Sequence, residues 1–184
     1  MEHKSTLELS TKRLRLRRLN VNDAHSMFYN WANDDKVTKH MTWYTYKEEN
    51  EAVVTLTSWS ERYADPKFYC WGIEIKESNT LIGTISIIDC NEKLSSVEVG
   101  YCIGFNWWNQ GYTTEALQAI IKFMFEEVKV EIIRAQHDIA NPNSGKVMQK
   151  CNMKYEGILR HAAVTSENKI CDLVSYSIMK NEYK

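Results

Sequence analysis

Val97-Glu98-Val99-Gly100-Tyr101-Cys102-Ile103 runs, after a short gap, into Trp107-Trp108-Asn109-Gln110-Gly111-Tyr112-Thr113-Thr114-Glu115, and this stretch decides the fold. The first half alternates and reads as a strand, with Glu98 on the face opposite Val97 and Val99. Beyond Glu115, Leu117, Ile120, Ile121, Met124 and Val128 fall on one face of a helix spanning Thr114 to Val128. A strand that passes through a tight loop into a helix gathers unpaired backbone N–H groups around one point. The helix dipole adds to their attraction for a phosphate or pyrophosphate. Gly111 lets the backbone approach such an anion with no side chain in the way. The Walker pattern and the Gly-x-Gly-x-x-Gly dinucleotide pattern are both absent. On spacing alone, one glycine before a helix fits a plain strand-to-helix turn at least as well.

Working outward, Leu14 to Leu19 reads as a strand, its leucines alternating with Arg13, Arg15, Arg17 and Arg18 as a charged outer face. Val21 to Asn33 follows as a helix with Asn20 as N-cap, and Asp34 to Tyr44 as a loop or short helical turn. Thr45-x-x-Glu48 has the form of a capping box, so a second helix is expected over Thr45 to Tyr63, ended by Ala64-Asp65-Pro66. Tyr69 to Ile75, Leu81 to Asp89 and Ser95 to Ile103 are three strands with short connections, hence antiparallel neighbours. After the helix come a strand (Ile132 to His137), a helix (Pro142 to Cys151), and strands over Lys154 to His161 and Cys171 to Met179. A meander followed by strand–helix–strand predicts an α/β (α+β) fold. It has one mixed, mostly antiparallel sheet flanked by helices, in a single domain over 1–184.

The 184 residues suffice for one sizeable core, and 43% hydrophobic with 26% charged content is ordinary for a globular chain. A net charge of −1 supplies no basic field for nucleic acid. No apolar run is long enough to span a membrane, and Met1 to Ser10 is too polar for a signal peptide. The 5 cysteines are scattered without a Cys-x-x-Cys pair, which predicts reduced thiols and a cytoplasmic location. The 5 histidines (His3, His25, His40, His137, His161) lack ligand spacing, so no metal is expected and each reads as packed or surface.

The string Gly100-Tyr101 … Trp108-Asn109-Gln110-Gly111-Tyr112-Thr113-Thr114-Glu115-Ala116 resembles the pyrophosphate loop of the GNAT superfamily of N-acetyltransferases, and within it the ribosomal-protein alanine/serine N-acetyltransferases. Two positions depart from the family pattern: Trp108 stands for Arg/Gln, and Thr113 for Gly/Ala. A second segment, Asn141-Pro142-Asn143-Ser144 followed by Val147, Lys150, Asn152 and Met153, resembles the family's later helix. Physically, Asn141 suits an N-cap, Pro142 the first helical position and Asn152 a left-handed helix end.

The resemblance implies transfer of an acetyl group from acetyl-CoA to a primary amine, either a protein N-terminus or a small molecule. It implies acetyl-CoA contacts at Tyr101, Cys102, Ile103, Trp108, Asn109, Gln110, Gly111, Tyr112, Thr113, Thr114, Asn141 and Ser144. Backbone N–H groups of Tyr101 to Ile103 would hold the oxyanion, Glu98 would act as base, and Ser144 as acid, because Met148 stands where many relatives carry tyrosine. Trp31, Trp43, Tyr44 and Tyr46 lie in the region that shapes the acceptor site in such proteins, and relatives often form homodimers. The competing expectation is a non-catalytic acyl-CoA-binding module, favoured by Trp108, Thr113 and the missing tyrosine.

Overall fold

The computed structural model describes residues 1–183. Eight strands form one sheet: β1 (Leu9–Ser10), β2 (Leu14–Arg17), β3 (Cys70–Ile75), β4 (Thr80–Asn91), β5 (Ser96–Ile103), β6 (Ile132–Asp138), β7 (Lys154–Val164) and β8 (Ile170–Met179), in the order β1-β2-β3-β4-β5-β6-β8-β7. Every neighbouring pair is antiparallel except β5 and β6. The helices are α1 (Ala24–Met27), α2 (Asp35–Thr38), α3 (Glu49–Arg62), α4 (Tyr112–Phe123) and α5 (Pro142–Lys150). α1 continues a 3-10 turn and runs into a π-helical turn, so Val21 to Ala32 is one helical segment; α4 likewise ends in a π turn over Met124–Val128.

Helices cover both faces. On one, Leu117, Ile120 and Ile121 of α4 and Met124 of its π turn pack with Met148 of α5 against Leu14, Trp71, Ile73, Ile85 and Val97. On the other, Met27, Phe28 and Trp31 pack with Ala52 and Leu56 of α3 against Cys70, Leu81 and Cys102. Each such aliphatic side chain contributes about 1.5–3 kcal/mol by leaving water. β3 is buried along its whole length because both layers meet on it.

Parallel pairing between β5 and β6 lasts for only three positions, Ser96 with Ile132, Val97 with Ile133 and Glu98 with Arg134. β5 stays paired to β4 as far as Ile103, and β6 to β8 as far as Asp138. The two strands are therefore held on their outer sides and open between, leaving unpaired backbone along a wedge.

Some local expectations change. Asn20 caps the first helical segment as expected, accepting from Asn22 N–H. Thr45 does not open α3: its hydroxyl bonds Asp35 and Thr38, while the Glu51 carboxylate accepts from the N–H groups of Lys47 and Glu48. The helix starts four residues later because Glu51 satisfies those orphan donors. The two-residue β1 escaped the sequence pattern, because a single period of alternation carries no signal. All five cysteines are free, and among the described residues no helix is long and apolar enough to cross a membrane.

The charged face of β2 is turned inward at one point. Glu74, 3% exposed, accepts from Arg15 Nε at 2.9 Å and Arg17 Nε at 2.6 Å, while Arg17 also pairs with Asp23 at 2.8 Å. Removing Glu74 takes the buried anion from Arg15 and leaves Arg17 with Asp23 alone. Glu74→Ala is expected to cost about 3–5 kcal/mol in urea denaturation, and a loss under 1 kcal/mol would mean that water replaces the pair freely.

Candidate functional site

The wedge between β5 and β6 opens into two adjoining cavities of about 370 Å³ and 410 Å³. Both are lined by His40, Met41, Tyr101, Cys102, Asn141 and Ser144, so these residues form the wall where the cavities meet. The smaller continues along the loop before α4, where Trp108, Asn109, Gly111, Thr113 and Thr114 line it. The larger extends under the helical layer, past Glu98, Trp43 and Trp59.

The loop takes its form from two left-handed residues, Asn109 (φ 60°) and Gly111 (φ 80°). They swing the chain directly into α4, whose first intrahelical acceptor from a preceding turn is Gly111 O, bonded by Glu115 N–H at 3.1 Å. The N–H groups of Tyr112, Thr113 and Thr114 precede that bond, and no side chain caps them. That is the anion-binding arrangement a helix start offers. Trp108, in place of the usual Arg or Gln, pins the loop through its indole N–H, which donates to Ile103 O at 2.8 Å. The side chains of Gln110 and Tyr112 do not line the cleft, and Tyr112 meets it only through its backbone N–H at the helix start. Gln110 donates to Asn106 O, and the Tyr112 ring lies 4.4 Å beneath the Arg13 guanidinium.

Arg13 is a residue the sequence pattern misplaced among the outer charges of a strand. It donates through Nη1 to Gln110 O at 2.9 Å and through Nε to Glu115 at 2.7 Å. Burial alone would raise the Glu115 carboxyl, but hydrogen bonds from Thr11 and Arg13 outweigh it and hold it below the ordinary range. The acid at the helix start is thereby neutralised, and Lys146 and Lys150 on the cavity wall add positive charge.

Along β5 only part of the expected backbone is open. Gly104 N–H donates to Ile82 O, so alternation turns the N–H of Cys102 toward β4 and those of Tyr101 and Ile103 into the wedge. Cys102 still lines both cavities by its side chain, and burial pushes its thiol up to about 12. Glu98 lies in the larger cavity, half-buried. Its carboxyl is raised by burial and by Asp89, which a bulge in β4 sets directly opposite, against a smaller opposing effect of Arg134 on β6.

Ser144 and Tyr101 form one unit. The Ser144 hydroxyl donates to Tyr101 Oη at 3.0 Å, which in turn donates to Ser144 O at 2.9 Å, and burial raises the phenol. Met148 is buried in the core. Asn141 occupies the N-cap position of α5, yet its side chain makes no capping bond and it lines both cavities; its fit to an ordinary cap is therefore incomplete. Asn152 is left-handed (φ 60°) as expected. Of the early aromatics, Trp43 lines the larger cavity, whereas Trp31 is core, Tyr44 is exposed and Tyr46 bonds Thr55.

Comparison with known proteins agrees with this geometry. Residues 13–154 match the acetyltransferase (GNAT) domain family. The uncharacterized N-acetyltransferase p20 of Bacillus licheniformis is 27% identical over 175 residues, covering 95% of this chain and 97% of that one. Among solved structures, the ribosomal-protein-S5-alanine acetyltransferase of Vibrio fischeri superposes with a TM-score of 0.83 at 16% identity, covering 97% and 99% of the two chains. The microcin C7 self-immunity acetyltransferase MccE, solved with acetyl-CoA and AMP, gives 0.82 at 18% identity, covering 92% and 93%.

The loop conformation is itself testable. Gly111→Ala forces a side chain into a left-handed position, 3.3 Å from Arg13 Nη2, and is expected to cost about 1–2 kcal/mol in thermal unfolding. Asn109→Gly, at the neighbouring left-handed position, should change stability little; equal effects at the two sites would contradict the assignment.

Proposed function

This chain belongs to the GNAT acetyltransferase family and is an N-acetyltransferase, and from that premise we propose that it moves an acetyl group from acetyl-CoA to a primary amine by direct attack in a ternary complex. The observation that carries the reading is the pair of cavities meeting at one wall, with an anion-binding helix start at one end and a raised carboxyl at the other. The pyrophosphate of CoA would sit on the loop and α4, neutralised by Lys146 and Lys150, while Arg13 cancels the charge of Glu115 at the helix start. Its pantetheine arm would follow the unpaired edge of β5, and its thioester would reach the Tyr101–Asn141–Ser144 wall.

The amine must arrive unprotonated. An α-amine, at ~7.7–8.0, needs less help than a lysine amine near ~10.4. Glu98 is the proposed base, acting directly or through water. The acceptor is a protein N-terminal α-amine or a small amine, its apolar portion lying against Trp43 and Trp59. The N–H groups of Tyr101 and Ile103 are the proposed donors to the oxyanion, and the Ser144–Tyr101 hydroxyls to the departing sulfur. A thiol as high as Cys102 holds little thiolate at neutral pH, which favours direct attack over an acetyl-cysteine route.

Amine-dependent release of the CoA thiol tests this reading. Glu98→Gln is expected to lower kcat by roughly 10²-fold, within the range for a general base. Because the Asp89 charge opposes ionisation of Glu98, Asp89→Asn should let Glu98 ionise at lower pH. The acid limb of kcat/KM then moves to lower pH. Tight acetyl-CoA binding with no turnover of any amine would instead mark a binding module, and an unmoved limb would remove Glu98 from the role of base.

A further inference from the structure

His40 and Asp138 form a couple that the roles above leave unused. His40 follows α2, is 16% exposed at its side chain, and stands on the wall shared by both cavities. Its Nδ1 lies 2.7 Å from Asp138 Oδ2, at the end of β6, where the carboxylate is only 6% exposed. Asp138 is held in turn, because its Oδ1 accepts from Ala140 N–H at 2.9 Å. The loop carrying His40 is fastened as well: Met41 N–H donates to Thr38 O, and the β7–β8 turn clamps it through Ser166 N–H to Met41 O and Ser166 Oγ to Thr38 O.

A carboxylate only accepts hydrogen bonds, so the contact places a proton on Nδ1, and in the neutral imidazole the lone pair is then on Nε2. Among the described residues Nε2 has no hydrogen-bond partner. Neighbouring His137 differs: its Nδ1 meets the Asp138 backbone carbonyl, and its other nitrogen is packed against Gly145 beside Tyr176. Glu98 lines the larger cavity alone, whereas His40 borders the point where donor and acceptor cavities meet.

The geometry points to His40, oriented by Asp138, as a second proton acceptor that takes the proton left on the acceptor nitrogen during acyl transfer. The inference rests on the acetyltransfer reading above. Two protons must leave an ammonium on its way to an amide. The first departs before attack and is assigned to Glu98. In the second step the nitrogen lone pair has formed the C–N bond, and the nitrogen is cationic. As the C–S bond breaks and its electron pair leaves on sulfur, the N–H proton passes to His40 Nε2. The imidazolium then discharges it onto the CoA thiolate, through water or the Ser144–Tyr101 hydroxyls, so CoA departs as the thiol and His40 returns to neutral.

His40→Gln is expected to lower kcat roughly 10²-fold while leaving stabilisation by acetyl-CoA intact. His40→Ala, which opens space in the cavity wall, should regain rate with added imidazole, a response that loss of mere structural support would not give. Nitrogen-15 NMR of the wild-type protein should show His40 protonated on Nδ1 at neutral charge, and Asp138→Asn should lose that preference. A wild type without amine-dependent CoA release overturns both this proposal and the reading beneath it. An active wild type with an equally active His40→Gln, or with His40 protonated on Nε2, overturns this one alone.

Discussion

Two strands that pair for three residues and then part govern the rest of this molecule. Parallel strands in a closed sheet satisfy their backbone groups on both sides, and an unpaired inner edge is ordinarily costly. Here β4 and β8 hold β5 and β6 from outside, so the inner edges can stay open without the sheet fraying. The N–H groups of Tyr101 and Ile103 are left for an occupant of the wedge.

Charge is distributed along the cleft with a corresponding logic. The end near α4 offers orphan amides and basic side chains, and Glu115 there is held by Thr11 and Arg13. The other end carries Glu98 and Asp138 among apolar walls. The two ends of the passage thus differ in charge, and they meet at the wall of Tyr101, Asn141 and Ser144. Burial works on both groups along the cleft, raising the Glu98 carboxyl and the Cys102 thiol above their ordinary values.

Much of this was legible from residues alone. Strand and helix spans follow from alternation and from the α4 stripe of Leu117, Ile120 and Ile121, and the loop from Gly111 standing before that stripe. What periodicity could not carry was contact between distant segments. Arg13 reads as one of several outward arginines, and only the fold brings it to residue 110, ninety-seven positions away. His40 and Asp138, ninety-eight apart, are individually a lone histidine and an acid at the end of a strand. The misplaced start of α3 has a local cause: Thr45 and Glu48 fit a capping pattern, but Glu51 competes for the same backbone donors and wins. Gln110 and Tyr112 came with the resemblance, and the left-handed turns on either side of Gln110 send their side chains away from the cleft while the Tyr112 N–H stays at the helix start.

The central claim is that the wedge and its loop bind acetyl-CoA despite Trp108 and Thr113. Thermal unfolding with acetyl-CoA, against ATP and NAD as controls, addresses it most directly. At one hundred times the dissociation constant a native-state ligand stabilises by ~2.7 kcal/mol, which for a domain of this size raises Tm by roughly 5–10 °C. A rise of that order with acetyl-CoA and none with the controls is the predicted result. No rise at millimolar acetyl-CoA, or an equal rise with all three, would contradict it.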